Sequence, residues 1–411
     1  MMKKVVLSTA AVFALSGIAN ADTNSELKAL KAQMAQMAQK IEALEAEKSS
    51  GANEDDVAGI EAKMTALENN IKKNTVITSK SPKIDFSGTH YLGFVSSDDN
   101  ILDNRTNAFE TRRNYFQAKA YFKDNPKDYL RITLDTYQNT KEKDGEDKGS
   151  WELRLKYAYL YMDEILPYTG VEIGQVHRPW IDYEEHNAWL YRSVSKVFVE
   201  DKGHGVDFTN SADLGVNFKT TLSYFSSELG VFNGEGYHAL ENGEGLSAEW
   251  RLTGHLLGTG EEKANKDLQY ANVSFFGQMH NNDYKGRGDA SGNFDWYGIH
   301  AVYNQPEFLV AAQYIKTQNA KTALIGSGYS INGEYRFMPD FSLIGMYNSY
   351  NYDSAVATDV DKMDGWLAGV TYNYNKNVTF IVNYLSENKD LNNGTKSLDK
   401  DSIMATAEVK W

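Results

Sequence analysis

The sequence predicts an all-β protein, a 16-stranded antiparallel transmembrane β-barrel preceded by a short periplasmic α-helical coiled-coil segment. From Lys83 onward, apolar and polar residues alternate with a period of two. The alternating runs are about 10–13 residues long, against ~5–6 for most strands in soluble sheets. Short and long connections alternate between them, as in outer-membrane barrels. Before Lys83 the apolar period is that of an α-helix.

Composition removes several classes of protein. The 411 residues include 42 Lys and Arg against 56 Asp and Glu, and the net charge of −14 argues against a nucleic-acid partner. Cysteine is absent, which excludes disulfides and cysteine-ligated metal sites. After residue 21 no apolar run approaches the ~18–20 residues of a membrane helix, so a barrel is the membrane architecture that the composition still allows.

Residues 1–21 have the pattern of a secretory signal peptide. Lys3 and Lys4 supply a positive start, a short apolar run follows, and Ala19 and Ala21 fit a small-x-small cleavage site. We therefore expect export from the cytoplasm, with the barrel in the outer membrane of a Gram-negative cell.

Residues 22–82 are predicted to form a periplasmic coiled-coil stalk and linker. Apolar residues recur at steps of three and four, with a break at 49–53. Neither half is long enough to be stable alone, so a three-chain coil or a hairpin within one chain is expected, and a weakly helical linker is the alternative. The apolar positions are Leu27, Leu30, Met34, Met37, Ile41 and Leu44, then Val57, Ile60, Met64, Leu67 and Ile71.

Residues 83–411 are predicted to contain sixteen strands, an even number that leaves both chain ends in the periplasm. Turn residues occupy every second connection, as at 124–128 and 375–377. Aromatic residues near strand ends, such as Trp366, fit the girdles of a membrane barrel. The predicted strands are 83–95, 108–123, 127–140, 151–163, 169–177, 205–211, 218–233, 244–257, 268–280, 293–304, 307–318, 327–338, 340–352, 364–375, 377–387 and 401–411.

The second, third and fourth strands are predicted to carry cations on one inner wall. With Phe116, Leu134 and Tyr157 taken as outward, five cations point inward and only Asp135 and Glu152 balance them. Such charges would cost several kcal/mol each in hydrocarbon, but in a wet pore they bias ion passage. Pairing with carboxylates in a packed lumen is the alternative. The predicted basic wall is Arg113, Lys119, Arg131, Arg154 and Lys156.

The longest connection, residues 178–204, is too amphipathic for a solvated loop. Trp180, Tyr183 and Trp189 favour burial, which predicts that the loop folds into the barrel and narrows it. An acidic cluster opposite the basic wall would produce a transverse field, and an outer lid is the alternative. The predicted constriction residues are Arg178, Asp182, Glu184, Glu185, Arg192 and Lys196.

The stretch from Gly174 to Trp180, with Glu184 and then Tyr191-Arg192, resembles the strand-five and loop-three region of the phosphate-selective porin O/P family. Residues 230–234 resemble the approach to loop four in that family, and Trp411 fits the terminal aromatic of outer-membrane porins. The resemblance extends over about residues 83–411. It implies a trimer of sixteen-stranded channels, a third loop folded inward and passive anion passage along interior basic residues.

We therefore expect an outer-membrane porin for passive diffusion of small hydrophilic solutes and ions. Acidic and basic residues are roughly balanced in 178–204, so a general porin is predicted as readily as an anion- or phosphate-preferring one. The alternative is a tether or adhesin that uses the barrel to anchor the stalk. Expected partners are outer-membrane lipid, lipopolysaccharide, solutes or anions, two further copies in a homotrimer, and the cell wall through the stalk. We expect no enzyme, cofactor or metal site, because HExxH, GxSxG and P-loop motifs are absent.

Overall fold

The computed structural model describes residues 83–138, 149–239, 245–281, 293–354 and 356–411. The predicted signal peptide and helical stalk lie outside these ranges and stay predictions. Among the described helices, none is long and apolar enough to cross a bilayer.

Within the described ranges, sixteen antiparallel strands close into one barrel, which confirms the predicted fold class. Closure is made by β1 and β16, which pair from Thr89 opposite Lys410 to Asp99 opposite Lys400. The strands are β1 Lys83–Asp99, β2 Asn104–Tyr121, β3 Tyr129–Gln138, β4 Trp151–Leu166, β5 Thr169–His177, β6 Ala212–Thr221, β7 Phe225–Phe232, β8 Ser247–Leu257, β9 Tyr270–Met279, β10 Asp295–Gln305, β11 Phe308–Asn319, β12 Gly326–Met338, β13 Phe341–Tyr352, β14 Val360–Asn375, β15 Val378–Leu391 and β16 Lys396–Lys410.

The two faces of each strand differ in burial, as the period-two pattern predicts. On β11, Val310 and Tyr314 are 46% and 44% exposed on the outer surface, whereas Ala311 and Ile315 are almost fully buried inside. Large apolar side chains cover the outer surface along most strands. The barrel is therefore apolar outside, and its interior holds the polar and charged groups as well as a second apolar surface.

The prediction around strand six was wrong. Residues 205–211 form no strand, and the predicted strand 218–233 is two strands, β6 and β7, joined by a turn at 222–224. The two errors offset each other, so the count stayed at sixteen. Val206 and Phe208 alternate as in a strand, but both are buried inside the barrel, where Phe208 packs edge-on against Phe294 and Tyr350.

Two β-bulges change the inward alternation. The register of β2 on β1 shifts beside Arg112, and the register of β4 on β3 shifts beside Lys156. A bulge re-aims side chains because two residues face one on the neighbouring strand. As a result Arg112 also points inward, and Tyr157 is buried inside the barrel instead of facing outward as predicted.

Residues 178–211, here called the inner loop, connect β5 to β6 and lie inside the barrel. The loop begins with helix α1, Pro179–Asn187, whose first position is a proline with φ suited to a helix start. Trp180 of α1 stacks on Phe276 of β9, with 3.5 Å between ring centroids. Further along, Phe198 and Val199 are fully buried in the same apolar cluster, which includes inward residues of β9 to β16. Burial of these side chains holds the loop against that half of the wall.

Candidate functional site

Two residues of the basic wall share one buried carboxylate. Arg113 and Arg154 each place a guanidinium nitrogen 3.0 and 2.9 Å from Oδ2 of Asp135, which is fully buried on β3. Both arginine side chains stay about one-fifth exposed toward the lumen. The pairing that the sequence left as an alternative therefore applies to these two residues, and one of their two charges is left in excess.

The other three wall residues have no such partner. Within the described ranges, no carboxylate oxygen lies within 4.0 Å of a side-chain nitrogen of Lys119, Arg131 or Lys156. Aromatic groups contact these cations without neutralising them. Arg131 donates to the Tyr159 hydroxyl at 3.2 Å, and Lys156 to the Tyr115 hydroxyl at 3.2 Å.

Lys119 completes this group, because its Nζ lies 4.7 Å from the centre of the Tyr129 ring. Glu152, the second inward carboxylate of this region, is bonded to the Tyr137 hydroxyl. Five cations thus face two carboxylates, Asp135 and Glu152, and the wall carries an excess of three positive charges.

The six predicted constriction residues divide into two groups. Arg178 and Glu184 are fully buried and do not reach the lumen. Arg178 pairs with Asp213 of β6 at 2.6 Å and with Glu249 of β8, so it fastens the start of the inner loop to the wall. Glu184 accepts a hydrogen bond from the Gln313 amide of β11 and fastens α1.

The remaining four predicted residues stay partly exposed beside the lumen. Arg192 pairs with Glu185 and with Glu200, and the Lys196 Nζ lies 3.1 Å from Glu200. These four side chains sum to zero charge, and Glu200 adds one negative charge to this part of the loop. We call the lumen between the basic wall and this part of the inner loop the eyelet, and its charge therefore comes mainly from the wall.

Glu200 of the inner loop is the carboxylate that pairs with both loop cations. Burial opposes ionisation of Glu200, but Arg192, Lys196 and Lys156 outweigh it and hold the pKa of its carboxyl well below the usual range. The Glu200 carboxyl is buried beside Arg192 and Lys196, and Lys156 of the wall also favours its ionised form. The transverse field expected between loop carboxylates and the basic wall stays a prediction.

Asp182 of α1 interacts with a second cluster of charges. Burial opposes its ionisation, but His177, His186 and Lys219 hold its pKa well below the usual range. The Lys219 Nζ lies 3.8 Å from Asp182, 3.6 Å from Glu172 and 3.3 Å from Glu228. With three carboxylates around one lysine, this cluster is net negative, and it continues the charged lining from β5 to β7.

Several lining residues were missed by sequence reasoning. Arg112, which donates to the Ser193 carbonyl at 2.9 Å, was missed because a bulge leaves no mark on composition. Lys219 was missed because residues 218–233 were taken as one strand. His177 lies 3.0 Å from Arg131 and 3.2 Å from Glu172, and its place at the end of β5 beside the wall is the signal that would have suggested this role.

Glu184 makes stability depend on pH. Burial raises the pKa of its carboxyl from the usual 4.5 to about 8. Between these values the unfolded chain loses the proton and the folded chain keeps it, so stability falls as pH rises through this window. We expect the free energy of unfolding to fall by several kcal/mol at most from pH 5 to pH 8, as measured by urea unfolding of the detergent-solubilised barrel.

The variant Glu184→Gln isolates this contribution. Because glutamine cannot ionise, the free energy of unfolding of this variant should fall much less between pH 5 and pH 8 than that of the wild type. Glu262→Gln, at an exposed loop position, is the matched control and should keep the wild-type slope. Equal slopes in Glu184→Gln and wild type would contradict the assignment.

Comparison with solved structures defines the class of this fold as a sixteen-stranded porin barrel. The OmpF porin of Salmonella typhi, solved with daunomycin, has a TM-score of 0.55 at 15% identity and covers 81% of this chain and 98% of its own. The anion-selective porin from Comamonas acidovorans has a TM-score of 0.54 at 11% identity, covering 80% and 99%. A loop-deletion mutant of OmpT, an outer membrane protein of Vibrio cholerae, has a TM-score of 0.53 at 13% identity, covering 80% and 99%.

The likeness is one of fold, because the identities are low. No protein-family model matches the sequence, so membership of the phosphate-selective porin O/P family stays a prediction. No curated protein matches it either.

Proposed function

We propose that the protein is an outer-membrane porin, a channel through which small hydrophilic solutes and ions diffuse passively, with a preference for anions. The observation that carries the proposal is the basic wall, whose five cations outnumber its two carboxylates inside a closed barrel. Cations without a carboxylate partner attract anions into a pore.

The outer surface supports a membrane location. Apolar residues such as Ile299, Val310 and Val382 are about half exposed on the outside of successive strands. In water this surface would promote association, whereas in a bilayer it is solvated by lipid and the closed sheet leaves no strand edge unpaired. The solved anion-selective porin with the same fold is consistent with this reading.

Other parts of the expectation rest on sequence alone. The homotrimer, the contact with lipopolysaccharide and the contact of the stalk with the cell wall stay predictions, as does a preference for phosphate. The tether hypothesis depends on residues 22–75, which lie outside the described ranges.

Purified protein added to a planar bilayer should produce stable conductance steps on the order of nanosiemens. In a potassium chloride gradient the reversal potential should have the sign of chloride preference. Because the Debye length is about 10 Å at 0.1 M salt and 3 Å at 1 M, the preference should weaken at high salt. Absence of steps, or a cation-selective reversal potential, would contradict the proposal.

A further inference from the structure

Three side chains of metal-binding types meet where the end of the inner loop contacts β15. Asp201 and His204 belong to the loop and Glu387 to β15, and their ligand atoms all lie within 4.8 Å of one another. The His204 Nδ1 lies 3.3 Å from Oδ1 of Asp201 and 3.8 Å from Oε1 of Glu387. The cluster is far along the loop from Arg178 and plays no part in the basic wall.

The other ring nitrogen of His204 fixes the tautomer. Nε2 lies 2.8 Å from the Ser195 hydroxyl, which itself donates to the Lys196 carbonyl at 2.8 Å. When the hydroxyl donates to that carbonyl, it accepts a hydrogen from Nε2, and a neutral ring then has its lone pair on Nδ1. A hydrogen bond from the ring nitrogen that does not bind the metal orients metal-binding histidines.

Nδ1 is buried and has no hydrogen-bond partner. His204 is 1% exposed, and the separations of 3.3 and 3.8 Å from the two carboxylates form no hydrogen bond to Nδ1. A lone pair directed at two anionic groups is unfavourable unless a cation lies between them. Either a proton on the imidazole or a cation bound between the three side chains satisfies this arrangement, and titration with zinc distinguishes the two.

The backbone holds this cluster in place. Asp201 Oδ1 accepts from the backbone amides of Gly203 and His204 at 2.8 and 3.1 Å, and Asn348 of β13 donates to the His204 carbonyl at 2.7 Å. A Cβ on Gly365 would overlap the Cβ of His204, so a glycine is needed there for the close approach of loop and wall.

We propose that Asp201, His204 and Glu387 bind one divalent transition-metal ion, with zinc as the best fit, and that the ion fastens the inner loop to β15. Ligand atoms ~2.0–2.2 Å from a tetrahedral zinc ion lie about 3.3–3.6 Å apart, close to the 3.3 and 3.8 Å between His204 Nδ1 and the two carboxylates. Two carboxylates neutralise the ion, and imidazole favours zinc over calcium and magnesium, which prefer oxygen ligands.

A nearby lysine charge limits the affinity of the site for a metal ion. The Lys389 Nζ donates to the Lys202 carbonyl at 2.7 Å and adds a positive charge beside the site. Asp201 and Glu387 are each about one-seventh exposed, so a water molecule has access to the fourth position. The site is therefore closed on the histidine side and open on the side of the two carboxylates.

The test is a calorimetric titration of zinc chloride into purified, chelator-stripped barrel in detergent. We expect one zinc ion per chain and a higher unfolding temperature with zinc, because a ligand that binds only the folded state stabilises it. Calcium chloride should bind at least tenfold more weakly. No zinc binding to the wild type, or equal affinity for calcium, would overturn the proposal.

Variants locate the ion. Glu387→Gln and His204→Gln should each weaken zinc binding at least tenfold. If His204→Gln misfolds, Glu387→Gln still tests the site, because it changes a partly exposed side chain and keeps its shape. His255→Gln is the matched control, because His255 bonds to Asn272 and Ser226 with no carboxylate and should leave zinc binding unchanged. Wild-type affinity in Glu387→Gln would place the ion elsewhere and overturn the assignment.

Discussion

Replacing Arg178 with methionine is expected to lower the free energy of unfolding by about 3–5 kcal/mol, the usual cost of removing one partner from a buried ion pair. Arg178 lies fully buried between Asp213 and Glu249. Methionine fills much of the same volume but leaves two carboxylates without their cation.

The backbone cannot replace the lost partner. Asp213 already accepts from the amides of Gly234 and Gly236, at 2.7 and 3.2 Å, so its remaining capacity was directed at the guanidinium. We expect either a large loss of stability or displacement of the first turn of α1, since Arg178 immediately precedes that helix.

Urea unfolding followed by tryptophan fluorescence measures the effect. Lys127→Met is the matched control, because Lys127 pairs with Asp163 at 2.8 Å in an exposed turn and such pairs contribute little. Its unfolding midpoint should equal that of the wild type. Equal midpoints for Arg178→Met and Lys127→Met would show that the buried pair does not hold the loop.

Replacing Lys119, Arg131 and Lys156 together with glutamine should reduce the anion-to-cation permeability ratio roughly tenfold at 0.1 M salt. Three charges about 7 Å from a permeating ion, in water-like surroundings, contribute ~0.6 kcal/mol each before screening. Every 1.4 kcal/mol is about a factor of ten. These three residues are chosen because Arg113 and Arg154 share Asp135, and their removal would also unpair a buried carboxylate.

The measurement is the reversal potential in a salt gradient across a planar bilayer. A control with the same change of net charge is Lys123→Gln, Lys127→Gln and Lys376→Gln, all in turns away from the eyelet. That control should leave the potential unchanged. Equal shifts in the two triple variants would mean that overall charge, and not the basic wall, sets selectivity.

Local pattern predicted the fold well, because period-two alternation reports directly on which side of a strand is buried. The same alternation correctly turned Arg131 and Lys119 inward on regular stretches of β2 and β3. It failed at Tyr157, since one extra residue at Lys156 reverses the alternation beyond it. It also failed at Phe208, whose neighbours alternate in burial because they pack on the wall and not because they pair in a sheet.

Partners distant in sequence account for the rest. Nothing near Arg178 indicates that Glu249, seventy-one positions away, completes its ion pair. Glu184 and Gln313 are separated by 129 positions, so the sequence predicted Glu184 at the constriction, whereas it is buried between α1 and β11. Residue type predicts which groups need a partner, whereas only the closed barrel determines which partner lies opposite.

The apolar inner surface of β9 to β16 has a consequence for attempts to engineer the pore. Trp296, Ile344 and Leu367 are shielded by the inner loop, in one cluster with its Phe198 and Val199. Shortening that loop would expose this apolar surface to water, and the channel would not simply become wider. A design that widens the channel would therefore also have to replace the apolar inward residues of β9 to β16 with hydrophilic ones.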